Sequence, residues 1–119
     1  MPSQQEIDRR YKNIRSRMER EGLDVLIVCG NQYAGFEGAT FYLSGFEIVH
    51  RYVYVVLPLA GEPTLVFPRE ARWIGDKTKP WIKDHVWPDV PGSWLRQRGQ
   101  ERGWKRVGVY GMDFIMAVR

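Results

Sequence analysis

Two histidines, one cysteine and fourteen acidic residues are the stock from which this 119-residue chain could assemble acid–base, nucleophilic or metal chemistry. Their spacing decides what they can do. No HExxH, no CxxC and no histidine-bearing carboxylate cluster occurs, so a protein-built metal site is not expected. Ser44-Gly45 lacks the preceding Gly-x of a nucleophile elbow. Asp84 and His85 look like an acid–base pair on paper, but neighbours on a strand point to opposite sides, and a solvated or edge-strand histidine is the expectation. Cys29 closes an apolar run, where a small buried thiol is expected rather than a nucleophile, and a lone cysteine forms no internal disulfide. Gly30, Gly35 and Gly38 fit neither GxGxxG nor GxxxxGK[ST], and no lysine follows to reach a phosphate. An irregular loop is the better reading. His50-Arg51 differs from these because it interrupts an apolar strand at its beginning, where a charged pair leaves the core to meet solvent or a ligand. An arginine there can hold a carboxylate through two parallel hydrogen bonds. Tyr33, Phe36 and Glu37 in the preceding loop are companion candidates.

The elements that must position these residues fit into one domain, since domains typically hold roughly 100 to 150 residues. A hydrophobic share of 44% with 27% charged residues is ordinary for a folded chain. No run approaches the ~20 apolar residues of a membrane span, and the polar start, residues 1–11, lacks a signal peptide's apolar core. A cytoplasmic protein without a membrane partner is expected. The net charge of +4 invites a nucleic-acid reading, but the basic residues of the first helix are interleaved with Glu6, Asp8, Glu19 and Glu21. The denser group Arg96, Arg98, Arg102, Lys105 and Arg106 carries no nucleic-acid reading motif.

Ser3 and Glu6 have capping-box spacing and start a helix whose apolar stripe is Ile7, Tyr11, Ile14 and Met18, ended by Gly22. Leu23 to Cys29 reads as a strand covered on both faces. Thr40 to Gly45 reads as a short helical turn, although Phe41, Tyr42 and Leu43 also suit a strand. Ile48 to Leu57 and Thr64 to Phe67 form an antiparallel hairpin around a Pro58 to Pro63 turn. Beyond it are expected a short helix over 70–77, an edge strand at His85 to Trp87, a helix from Ser93 as cap to Gly103, and a strand from Arg106 to Tyr110. Helices packed on a mixed sheet follow from that alternation. All five tryptophans fall in the second half, where core and interface packing is the economical explanation, with Trp73, Trp81 and Trp94 as candidates for a self-association surface. Residues 112–119 begin a further apolar element, as expected where a longer protein continues.

Four segments taken together carry a resemblance: the basic helix Arg10 to Met18, Gly22-Leu23-Asp24 entering a strand, Phe41 to Phe46, and the Gly61-Glu62-Pro63 hairpin. In that order, with Arg106 to Gly111 as a last strand, the chain resembles the N-terminal domain of the creatinase, prolidase and aminopeptidase P family. The resemblance implies a ribonuclease H-like three-layer α/β domain, a mixed β-sheet with helices on both faces. It further implies that residues 1–119 are one non-catalytic domain, followed in relatives by a larger "pita-bread" catalytic domain. That second domain would hold two divalent ions, manganese, cobalt or zinc, in the peptidases and none in the creatine-hydrolysing branch, so no cofactor is expected in this domain. The implied partners are the chain's own catalytic domain and a homodimer partner whose active-site mouth it covers, with His50, Arg51, Tyr33, Phe36 and Glu37 near substrate. Related lyases and ectoine-type hydrolases share the architecture, so the substrate stays open. A free-standing module of the same fold, binding an acidic or nucleic-acid partner through Arg96 to Arg106, is the alternative.

Overall fold

A computed structural model describes residues 2–31, 38–46, 52–69 and 80–110. The first helix, α1 (Gln4–Glu21), starts where the Ser3 hydroxyl accepts from the Glu6 backbone N–H at 3.1 Å. The Glu6 carboxylate pairs with Arg9 and Arg10. The helix ends on Gly22, whose φ of 72° no β-carbon favours; the Gly22 and Leu23 N–H groups return to Glu19 and Met18 carbonyls, closing a Schellman motif.

The chain then lays down β1 (Val25–Asn31), α2 (Gly38–Ser44), β2 (Tyr52–Pro58), β3 (Thr64–Val66), β4 (Asp84–Val86), α3 (Pro91–Arg102) and β5 (Val107–Tyr110). The strands form one sheet in the order β4-β3-β2-β1-β5. β2 runs against β1 and β3, whereas β5 is parallel to β1 and β4 to β3. Four strands therefore point one way and β2 the other. The sheet is mixed, as the alternation of elements implied.

Period-two alternation sorts the side chains between two cores. Val28, Val53, Val55, Leu65 and Phe67 join Leu43, Phe46 and Ile82 on the face covered by α1 and α2, where Tyr11 and Ile14 pack. Val25, Val56 and Val66 form the core of the opposite face with Trp94, Leu95 and Trp104 from α3 and its exit. Helices thus lie on both faces, and β2 is buried from Val55 to Pro58 because both are covered. Arg15 ties α1 to the hairpin turn by donating to the carbonyls of Pro58, at 3.0 Å, and Gly61.

Two expectations are corrected. Ser93 does not cap α3: the helix begins at Pro91 behind Val90, because proline's fixed φ suits the first helical turn and holds the preceding residue extended. Trp81 and Trp94 are partly buried against the two cores rather than exposed, while Trp73 lies outside the described residues. Among the described residues the exposed large apolar ones are instead Phe41, Tyr42, Trp87, Val90, Val107, Val109 and Tyr110. The expected 70–77 helix and the start of the Ile48 to Leu57 strand also fall outside the described residues. Among the described residues no helix is long and apolar enough to cross a membrane.

Candidate functional site at one end of the sheet

The antiparallel register sets Asn31, the last residue of β1, opposite Tyr52, the first of β2. At the same end Tyr110 finishes β5 opposite Val28, and Val66 finishes β3 opposite Tyr54. β1, β3 and β5 therefore finish, and β2 begins, at one end of the sheet. Crevices outside the carboxyl ends of strands are where open α/β sheets bind ligands. Tyr33, Phe36, Glu37, His50 and Arg51 lie outside the described residues, but the two segments carrying them leave the sheet from cross-strand partners.

Aromatic side chains dominate what is described at this end. Tyr52 and Tyr54 stack with ring centroids 5.0 Å apart, and Phe67 stacks on Phe46 at 5.3 Å and lies 6.0 Å from the exposed Trp87. Arg69 reaches Asp89 at 3.1 Å in an exposed ion pair. Tyr54 and Cys29 are register partners, and burial pushes the phenol up to about 12 and the thiol to about 11. Both therefore keep their protons near neutrality. The buried thiol is the one expected from the apolar run.

The other groups with chemical potential are tied into the fold. Asp84 accepts from the Thr64 hydroxyl at 2.6 Å, while a ring nitrogen of His85 lies 2.6 Å from the Ile82 carbonyl and the ring meets Phe67 edge-on. The adjacent pair has separate partners, as strand geometry required. Ser44 donates to the Thr40 carbonyl at 2.6 Å and accepts from the Phe46 N–H at 3.0 Å, which makes it the buried closure of α2. Among the described residues no group of three or more His, Cys, Asp or Glu is placed to hold a metal ion.

Two polar features escaped sequence reasoning. Arg10 lies over the Tyr42 ring at 4.1 Å and donates to the Tyr42 carbonyl at 2.7 Å, an exposed cation–π contact between α1 and α2. Nothing in the spacing of residues 10 and 42 signals it. Asp24 accepts from the backbone N–H groups of Lys105 and Arg106 at 2.7 and 2.9 Å, and those bonds hold its carboxyl below the usual range. An aspartate between a glycine-ended helix and a strand was the available signal. Of the basic group, Arg98 is stacked on Trp94 at 4.8 Å and approaches Glu101.

Comparison with known proteins agrees with this architecture. No curated protein sequence matches the chain. An Xaa-Pro aminopeptidase structure from Streptococcus pyogenes superposes with a TM-score of 0.71 at 16% identity, over 98% of this chain and 85% of that one. The N-terminal domain of the cytoplasmic peptidase PepQ from Mycobacterium tuberculosis gives 0.67 at 18% identity, over 84% and 71%. An Xaa-Pro dipeptidase from Bacillus anthracis gives 0.66 at 12% identity over 87% of this chain, which spans only 26% of that protein. These identities establish the fold. The family model described as the creatinase/prolidase N-terminal domain matches residues 10–115, and with that match over nearly its whole length the chain belongs to the creatinase/prolidase N-terminal domain family.

Proposed function

We propose that residues 1–119 act as one non-catalytic domain of a cytoplasmic creatinase or Xaa-Pro peptidase-type hydrolase, forming its homodimer and covering the partner subunit's active site. The family match over residues 10–115 carries this reading. Support comes from the neighbours named as Xaa-Pro peptidases, one of which is several times the length of the matched region. The chemistry at the sheet end agrees: stacked tyrosines suit contact and recognition.

The divalent ions expected of the family's peptidases find no fitting set of ligands among the described residues, so no step through a metal is assigned to this domain. They belong, in this reading, to a following catalytic domain. Two measurements test the proposal together. The reading frame should continue into a segment with clustered Asp, His and Glu, and the purified 119-residue chain should not turn over Xaa-Pro dipeptides or creatine with manganese or zinc. Metal-dependent turnover above a heat-killed control, or a gene without such a segment, overturns it.

A further inference from the structure

Between α3 and the sheet runs a groove of about 460 Å3 with an apolar wall that includes Leu95, Trp104 and Val107. Small-molecule sites have volumes of about 300 to 1,000 Å3 and are mostly apolar with a few placed polar groups. The charged groups here are of one sign. Arg96 and Lys105 line the groove, and no carboxylate joins them among the described lining residues. Neither has an ion-pair partner among the described residues, whereas Arg98 is taken up by Trp94 and Glu101. Gly99 supplies an independent observation. It sits within α3, where glycine weakens a helix, and its φ is not positive. A β-carbon there would meet, among the described residues, a ring carbon of Trp104 at 3.7 Å, an ordinary contact. Packing inside the domain therefore does not demand a glycine at 99, and its missing side chain instead deepens the groove it lines.

We propose that this groove binds a small apolar carboxylate of the fatty-acid type, its body against Leu95, Trp104 and Val107 and its charged end towards Arg96 and Lys105. The apolar wall supplies affinity in proportion to the area it covers and is indifferent to the ligand's charge. The two cations decide the sign. A carboxylate gives each of them a partner, a neutral alcohol leaves them as they are, and an amine of the same length brings a third positive charge against them. Gly99 sets how closely the body approaches α3, since any larger side chain there would occupy the same space.

Amide and indole NMR shifts of the 119-residue chain, titrated with decanoate below its micelle-forming concentration, test the assignment. Shifts are expected at Gly99, Trp104 and Val107, with decanol binding about tenfold more weakly and decylamine more weakly still. Gly99→Leu, which favours the helix and fills the groove, should abolish binding with the helical circular dichroism retained. Arg96→Gln combined with Lys105→Gln should bring decanoate to the affinity of decanol, a result that does not depend on how the glycine variant folds. Equal affinity for the acid and the alcohol, shifts on another face, or undiminished binding to Gly99→Leu would overturn the proposal. So would a groove silent to decanoate; shifts there that depend on protein concentration alone would give it to a second copy instead.

Discussion

The indole N–H of Trp81 donates to the hydroxyl of Tyr11 across 3.1 Å, and that hydroxyl donates in turn to the Leu43 carbonyl at 2.5 Å. One phenol thereby joins α1, the end of α2 and the segment entering β4, residues far apart in sequence. Burial raises its pKa, more than the Trp81 bond and nearby Arg15 lower it, so the hydroxyl keeps its proton at neutral pH. Tyr11→Phe removes the oxygen while leaving the ring, and strands a donor and an acceptor in a half-buried place. A loss of about 1 to 3 kcal/mol is expected in urea unfolding, with an unchanged m-value. A variant as stable as the parent would show that water replaces the hydroxyl without cost.

Gly45 lies directly against the same indole. Its φ is 72°, and a β-carbon placed there would stand 2.5 Å from a ring carbon of Trp81. Gly45→Ala therefore combines a left-handed backbone with a clash that neither the ring nor its Tyr11 bond can easily relieve. The expected loss is about 2 to 4 kcal/mol, the sum of conformational strain and overpacking. Trp81→Leu in the same background should recover part of that loss. Without any recovery, the strain would reside in the backbone alone.

Asp24 sets a pH dependence through its bonds to the Arg106 and Lys105 backbone N–H groups. Because the folded carboxyl is depressed below its unfolded value near 4, its contribution is fully present above that value. It disappears as pH falls through the lower, folded value. Glu6, held down to about 2 by Arg9 and Arg10, adds in the same direction. Stability measured by urea midpoint should thus fall from about pH 5 towards pH 2, and Asp24→Asn should flatten that limb. An unaltered limb in the variant would assign the acid sensitivity to other carboxylates.

How far the sequence reached depended on whether a feature was local. The Ser3 cap, the Gly22 stop, the hairpin around Gly61 and the buried Cys29 all follow from residues within a turn or a strand of one another, and the structure has them. Period-two burial in β2 was equally legible because both faces of Tyr52 to Leu57 are largely apolar. What composition could not show was which tryptophans face out: Trp81 is held by Tyr11 and Trp94 by the α3 core, contacts set by tertiary packing. Asp24 reads as a strand-entry residue until β5 arrives beside β1 and supplies the two N–H groups that define its role. Candidate site residues were chosen for chemical type at a strand's beginning, His50 and Arg51, and in the loop before it, Tyr33, Phe36 and Glu37, and the register sets the described neighbours of the two segments, Asn31 and Tyr52, opposite each other.

That register motivates the prediction for Arg51. It precedes Tyr52 directly, while Tyr33, Phe36 and Glu37 follow closely on Asn31, so the proposed substrate-facing residues enter from adjacent strands. In the proposed dimeric hydrolase a guanidinium in this position would grip a substrate carboxylate with two parallel hydrogen bonds, a geometry a lysine ammonium does not reproduce. Arg51→Ala and Arg51→Lys in the full-length enzyme should both raise KM with metal content and thermal unfolding unchanged. The loss of a charge-assisted contact, about 1.5 to 3 kcal/mol, corresponds to roughly ten- to a hundredfold in kcat/KM. An effect confined to Arg51→Ala, with Arg51→Lys like wild type, would indicate a simple positive charge rather than a bidentate grip. Wild-type kinetics in both variants would return Arg51 to the solvated strand-end residue that its sequence position equally allows.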